Sequence, residues 1–115
     1  MKKLALISTL GLLIASGAFA VSSAPYNLEP GGSQTVIDDA PADGPATAEN
    51  WGPDTVVFTV EENVGGTWRK KMDFPLKKGQ EKDFEIKKGQ RVKVRTLSRS
   101  RTGDGAKGRI VVPWD

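Results

Sequence analysis

The sequence predicts an all-β mature domain, a small antiparallel β-sandwich built around a four-stranded meander. Three observations lead to this fold class. Apolar and polar residues alternate in several short windows, beginning with Val56, Phe58 and Val60. The motif D-F-x-[L/I]-K-K-G-Q occurs twice, at residues 73–80 and 83–90. Beyond the first twenty residues no window has the apolar period of 3.6 residues that indicates a helix.

The first twenty residues have the pattern of a secretory signal peptide. Lys2 and Lys3 precede a mainly apolar run, and Ala18-Phe19-Ala20 is a typical cleavage site of small residues. The apolar run is shorter than the roughly 20 residues that a membrane-spanning helix needs. We therefore expect cleavage after Ala20, export to the periplasm or the cell exterior, and no membrane span after processing.

Residues 21–54 form an acidic N-terminal segment that is rich in proline and glycine. Residues 33–38 are its one possible short strand, and residues 38–54 are expected to be a long loop. The carboxylates of this loop have no calcium-binding spacing, so no metal site is predicted. The acidic segment and the β domain of residues 55–115 are expected to form one folding unit.

The β domain is predicted to begin with four consecutive strands. Each connecting turn contains a glycine that can adopt the positive φ of a type I turn with a G1 bulge, namely Gly65, Gly79 and Gly89. A last short strand covers residues 109–112, before Pro113. The four strands are expected at about residues 55–62, 66–76, 80–86 and 90–97.

A register for the meander follows if consecutive strands pair as hairpins. Phe84 then lies opposite Val92, and three acids face three bases pair by pair. These are Glu81, Asp83 and Glu85 on one strand and Arg91, Lys93 and Arg95 on the next. Lys70 and Lys82 fall on the apolar face of this sheet. Two alternatives are a Greek key, in which a strand changes sheets at Pro75, and a small five- or six-stranded barrel.

Charge is distributed very unevenly along the mature chain. Residues 21–68 contain eight acids and no Lys or Arg, whereas residues 69–115 contain fifteen Lys and Arg against six acids. The near-neutral total therefore hides an acidic half and a basic half. Such a chain could bind an anionic partner, or it could self-associate by docking its acidic half on the basic half of the next copy.

The loop of residues 98–109 is the strongest candidate for an anion-binding surface. It has no cross-strand neighbour to neutralise its four bases, which are Arg99, Arg101, Lys107 and Arg109. A mobile, solubilising loop is the alternative interpretation. Trp51 is a further binding candidate, because an exposed tryptophan would suit a carbohydrate or a protein partner. Core packing is otherwise expected of the tryptophans, including Trp68 and Trp114.

The composition excludes several classes of chemistry. The chain has no Cys and no His, which rules out disulfides, thiol nucleophiles, Ser-His-Asp triads and zinc sites built on imidazole or thiolate. It also has no Walker A motif, G-x-x-x-x-G-K-[S/T], and no nucleophile elbow, G-x-S-x-G. We therefore expect no catalytic residue, no cofactor and no enzymatic activity.

The sequence thus favours an exported, non-enzymatic binding or interaction module that contacts an anionic polymer or protein through its basic loop. The alternatives are a self-associating structural protein of the envelope or cell exterior and, less favoured, an inhibitor of a secreted enzyme. Specific nucleic-acid binding is not expected, because export separates the chain from cytoplasmic nucleic acid and half of the chain is acidic.

The leader predicts a defined processing event. Intact-mass measurement of the exported protein should give the mass of residues 21–115, because the cleavage site ends at Ala20. Recovery of the chain with Met1–Ala20 still attached in a membrane fraction would contradict this expectation.

Overall fold

A computed structural model describes residues 22–114, which fold into two four-stranded antiparallel sheets packed face to face. Within this range no helix is long and apolar enough to cross a membrane. The strands are β1 (Ser22–Leu28), β2 (Ser33–Ile37), β3 (Gly44–Pro53), β4 (Val56–Val64), β5 (Thr67–Leu76), β6 (Glu81–Ile86), β7 (Arg91–Thr96) and β8 (Ala106–Val112). The predicted β-sandwich is confirmed.

The strand order is that of an eight-stranded jelly roll, which contains two Greek keys. Sheet A has the order β1-β8-β3-β6, and sheet B has the order β2-β7-β4-β5. Of the consecutive strands, only β4 and β5 share a sheet, and every other connection crosses between the layers. The Greek-key alternative therefore describes the chain better than the meander does, but the change of sheet occurs in the turn of residues 77–80 and not at Pro75, which pairs with Val57 within sheet B.

The predicted meander is wrong beyond its first hairpin. β4 and β5 pair with each other, but β6 pairs with β3 and β7 pairs with β2 and β4. The strand positions are close to those expected, so the error lies in their partners. A hairpin and a crossing between sheets give the same alternation of apolar and polar residues. Alternation alone therefore could not distinguish the two.

The turn of the first repeat carries the chain from sheet B to sheet A. The Gln80 side-chain oxygen accepts a hydrogen bond from the Lys77 backbone N–H at 2.8 Å, and the Gln80 N–H donates to the Lys77 carbonyl at 3.0 Å. Gly79 has the expected positive φ of 83°. The turn then pairs with β3, because the Gly79 N–H donates to the Asn50 carbonyl and the Asn50 N–H donates to the Gln80 carbonyl.

The second repeat builds the same turn ten residues later and returns the chain to sheet B. The Gln90 side-chain oxygen accepts a hydrogen bond from the Lys87 N–H at 2.9 Å, and the Gln90 N–H donates to the Lys87 carbonyl at 3.0 Å. Gly89 has a φ of 85°. The backbone partner is now Ala40, which exchanges two hydrogen bonds with Gly89 and Gln90. Each copy of the D-F-x-[L/I]-K-K-G-Q motif therefore ends in a turn that connects a strand of one sheet to a strand of the other.

The acidic N-terminal segment holds three strands, β1 to β3, where one short strand was expected. The predicted loop of residues 38–54 is mostly strand β3. Its inward positions are the small or polar residues Ala46, Ala48, Asn50 and Gly52. Because these carry no large apolar side chain, the strand lacks the pattern by which buried strands are normally detected.

Aromatic rings from both sheets meet in the core. Phe58 is fully buried, stacks on Phe74 at 5.5 Å between ring centroids and meets Tyr26 edge-on at 5.6 Å. Phe84 lies 5.5 Å from Phe74 across the two layers. Offset and edge-on pairs of this kind stabilise a core beyond their buried area. By crossing sheets between Phe74 and Phe84, the chain supplies apolar residues to both inner faces.

The two lysines that did not fit the predicted apolar face keep their charges in solvent. Lys82 extends its ammonium group to 5.8 Å from the Phe74 ring centroid and remains exposed. Lys70 forms an exposed ion pair with Asp73 at 3.1 Å. A register shift between Val60 and Glu61 accompanies this part of the β4–β5 hairpin.

Asn50 is a fully buried polar side chain at the end of β3. Its amide nitrogen donates to the Asp54 and Leu76 carbonyls, each at 2.9 Å, and its oxygen accepts from the Gly52 N–H at 2.7 Å. These bonds join sheet A to the end of β5 in sheet B and to the chain that follows β3. A buried amide with all of these groups satisfied specifies a single arrangement.

We predict that Asn50→Ala lowers the free energy of unfolding by about 3 kcal/mol, because it leaves buried carbonyl and N–H groups without partners. Asn50→Asp should also destabilise, since it places carboxylate oxygens against two carbonyl oxygens. Urea unfolding measures both variants. The control is Asn27→Ala on the exposed side of β1, which should stay within about 0.5 kcal/mol of wild type. A similar loss in the control variant would refute the role of Asn50.

Candidate functional site

The basic stripe of β7 lies on the outer face of sheet B. Arg91, Lys93 and Arg95 alternate with buried residues along the strand. The acids predicted to neutralise them lie elsewhere, since Glu81, Asp83 and Glu85 are on β6 and face outward from sheet A. The predicted register of paired charges is therefore wrong. Its physical cause is the sheet crossing between β6 and β7.

Glu61 on β4 is the acid that pairs with the stripe. Its carboxylate contacts Arg91 Nε at 2.5 Å and Lys93 Nζ at 3.9 Å. Among the described residues Arg95 has no acidic partner, and its guanidinium instead donates to the Thr96 carbonyl at 3.4 Å. One carboxylate against three bases leaves the stripe with a net positive charge.

The β7–β8 loop, residues 97–105, is anchored by the Asp54 carboxylate. This carboxylate accepts hydrogen bonds from the Asp104 N–H at 3.1 Å and the Gly105 N–H at 2.8 Å. The Asp54 N–H donates in turn to the Gly105 carbonyl at 3.0 Å. A methyl group at Gly103 would lie 2.6 Å from the Asp54 carboxylate, so glycine is required for this close approach.

The other end of the loop is held against sheet B. The Thr96 hydroxyl donates to the Ser98 carbonyl at 2.8 Å, and the Leu97 N–H donates to the Thr55 carbonyl at 2.9 Å. Gly31 packs on the Arg99 backbone, where an added Cβ would come within 2.8 Å of the carbonyl oxygen. These contacts give Arg99 and Arg101 a defined backbone position beside the stripe.

The loop and the stripe together enclose an open groove of about 570 Å³, which we call the basic groove. Four bases line it, two from β7 and two from the loop, against the single acid Glu61. Val57 and Thr59 contribute the surface of β4 between them. The four bases are Lys93, Arg95, Arg99 and Arg101.

The structure separates the basic residues that the sequence placed in one candidate site. Arg99 and Arg101 line the basic groove, whereas Lys107 and Arg109 lie on the outer side of β8 in sheet A. Lys93 and Arg95 were not predicted as site residues, because the predicted register gave them acidic partners. Their alternation along β7 was the signal that pointed to them.

Trp51 lies in sheet A and is 53% exposed, so the expected core packing does not apply to it. Its indole N–H donates to Glu49 Oε1 at 3.0 Å, and Arg109 Nε lies 3.1 Å from the same oxygen. The other two tryptophans are half-buried. Trp114 packs against the core, and Trp68 lies under the Arg91 guanidinium at 4.0 Å.

Tyr26 fixes the backbone of β3 beneath this cluster. Its hydroxyl donates to the Glu49 carbonyl at 2.7 Å. Burial, together with the nearby Glu49 charge, raises the pKa of the Tyr26 phenol well above its usual range. The phenol therefore stays protonated and remains a donor throughout the physiological pH range.

Residues 22–114 contain no group of three or more acidic side chains placed to hold a metal ion. The acids of residues 38–54 are spread out: Asp38, Asp39 and Asp43 lie in the β2–β3 connection, Glu49 lies on β3, and Asp54 bonds the β7–β8 loop.

Comparisons with known proteins support the fold without indicating an activity. No protein-family model matches the chain, and no curated protein matches it. A crystal structure of PirA is similar, with a TM-score of 0.57 over 77% of this chain and 90% of that chain, at 16% sequence identity. A likeness at this identity shows a shared fold only.

We predict that Asp54→Ala loosens the β7–β8 loop, because two backbone N–H groups lose their acceptor. Hydrogen exchange across residues 97–105 should become faster, and stability should fall by about 1–2 kcal/mol. Asp73→Ala is the matched control, since its exposed pair with Lys70 contributes little. Unchanged exchange in the Asp54 variant would show that the carboxylate does not hold the loop.

Proposed function

We propose that this protein is an exported, non-enzymatic binding module that takes an anionic polymer in its basic groove. One observation carries the proposal: four bases from β7 and an anchored loop converge on one groove that holds a single acid. A concentration of one charge sign in a concave surface attracts and retains ligands of the opposite sign.

The make-up of the groove favours a chain of anionic groups over a single small anion. Lys93 and Arg95 lie two residues apart on one strand, so their positions are separated by about 7 Å. Three of the four bases are arginines, whose planar guanidinium groups match carboxylate, sulfate and phosphate oxygens. The groove is open to solvent, so a polymer can extend beyond it at its ends.

Each contact in such a site is individually weak. An exposed ion pair contributes about 0.2–1 kcal/mol and is screened by salt. Four contacts therefore give modest affinity for one ligand segment. A polymer offers the same anionic group repeatedly, which raises the effective concentration of ligand after the first contact.

A binding role, rather than catalysis, is supported by the composition of the site. The chain has neither His nor Cys. Glu61, the acid of the groove, is engaged with Arg91 and Lys93. Export is proposed from the leader alone, because residues 1–20 lie outside the described residues. The partner would then be a polyanion of the envelope or of the cell exterior.

Self-association is the second candidate, and one observation favours it. The acids of β6 face outward from sheet A, on the side of the sandwich opposite the basic groove. Copies could stack with the acidic face of one on the basic groove of the next. Such contacts are heterologous, and they build rings or filaments.

We predict that Arg99→Ser/Arg101→Ser and Lys93→Ser/Arg95→Ser each weaken binding to heparin by about tenfold at about 0.15 M salt, with little change in stability. Heparin serves as a model sulfated polymer, and affinity is measured by titration at several salt concentrations. Lys87→Ser/Lys88→Ser removes the same charge at an exposed turn and should bind nearly as wild type.

Two outcomes would contradict polymer binding in the basic groove. If Lys107→Ser/Arg109→Ser abolishes heparin binding and the groove variants do not, the polyanion site is on sheet A. If sedimentation instead shows oligomers that dissociate at high salt and do not form in Asp83→Ser/Glu85→Ser, self-association replaces polymer binding as the function.

A further inference from the structure

Trp51 is the one aromatic side chain among the large, well-exposed apolar residues of the described chain. The others are Val64 and Leu97, which are aliphatic. An indole normally contributes to stability by being buried, so an exposed one calls for an explanation from its surroundings. Those surroundings hold Trp51 in place and provide polar groups beside the indole.

A β-bulge directs Trp51 out of sheet A. Asn50 pairs with Gly108 on β8 and Gly52 pairs with Lys107, so Trp51 is the extra residue between two consecutive pairs. The Asn50 side-chain oxygen closes the bulge by accepting from the Gly52 N–H at 2.7 Å. Bulges redirect side chains and are frequent beside functional sites. The indole is therefore presented from a strand whose backbone is fixed by buried hydrogen bonds.

Glu49 holds the indole and the Arg109 guanidinium through a single oxygen. Oε1 accepts from the indole at 3.0 Å and from Arg109 Nε at 3.1 Å, and the guanidinium lies 5.9 Å from the indole centroid. Within residues 22–114, Glu49 Oε2 and the terminal nitrogens of Arg109 make no hydrogen bond. One acceptor oxygen of Glu49 and the two terminal nitrogens of Arg109 therefore remain free beside the indole, with the guanidinium over one face of the ring.

We infer that Trp51, Glu49 and Arg109 form a carbohydrate platform, a site for one neutral sugar ring of a polysaccharide. A pyranose has an apolar face of C–H groups and a rim of hydroxyls. The C–H face would stack on the indole, while Glu49 Oε2 accepts from one hydroxyl and Arg109 donates to another. The platform lies on the sheet opposite the basic groove and is independent of it.

The neighbouring charges favour a neutral sugar over other partners that stack on tryptophan. A nucleic-acid base would also stack, but its phosphates would meet Glu81, which pairs directly with Glu49, and the other acids of β6. An apolar protein partner would need an exposed patch of several hundred Å². Trp51 instead adjoins charged side chains on the same face.

The test is native electrophoresis of the full mature chain through gels containing neutral polysaccharides: a β-glucan, a mannan, a galactan, a xylan and a dextran. At least one should retard the wild-type protein. Trp51→Ala should weaken that binding at least about tenfold, as expected for loss of a stacking aromatic, and Trp51→Tyr should retain most of it. Leu97→Ala is the matched control, since it removes an equally exposed apolar side chain elsewhere.

The salt dependence of binding distinguishes the platform from the basic groove. Platform binding should be nearly constant between about 0.05 and about 0.5 M salt, whereas heparin binding should fall steeply. The inference is overturned if no polysaccharide of the panel retards the wild-type chain, or if Trp51→Ala is retarded equally. It is also overturned if Trp51 proves necessary for binding an oligothymidylate instead. Thermal unfolding of Trp51→Ala should match wild type, which confirms that the variant is folded.

Discussion

The basic groove and the carbohydrate platform both depend on the buried amide of Asn50. Through Gly52 it closes the bulge that presents Trp51, and through the Asp54 carbonyl it fixes the residue whose carboxylate holds the β7–β8 loop. Through the Leu76 carbonyl it joins β3 to the end of β5 in the other sheet. A single side chain thus couples the packing of the two layers to the geometry of both outer faces. Buried polar networks specify one arrangement when every member is satisfied, as here.

The strands of the second half were predictable from the sequence, but their partners were not. Alternation of residues such as Phe84 and Ile86 with charged neighbours locates a strand and its inward side, and the glycines at positive φ locate the turns. Sheet membership depends on the backbone of Ala40 and Asn50, which lie far away in sequence and carry no pattern of their own. Strand β3 was not predicted either, because its inward residues are small and form no apolar pattern.

The candidate site was predictable to the extent that it depends on a loop. Arg99 and Arg101 were recognised because a loop has no strand partner to neutralise it, and the anchored loop does place them at the basic groove. Lys93 and Arg95 were excluded because charge pairing was deduced from an assumed register. Pairing of opposite charges along a sequence is weak evidence for contact, since the energy of an exposed pair is too small to determine topology.

The strand order has a kinetic consequence. Of the eight described strands, only β4 and β5 pair with a neighbour in sequence, and the other ladders among them join segments that are distant along the chain. Such a sandwich belongs to the slow-folding class, with closure on the millisecond-to-second scale, and the β4–β5 hairpin is the one element that can form early. The sandwich therefore stays open until the last described strand, β8, is inserted between β1 and β3.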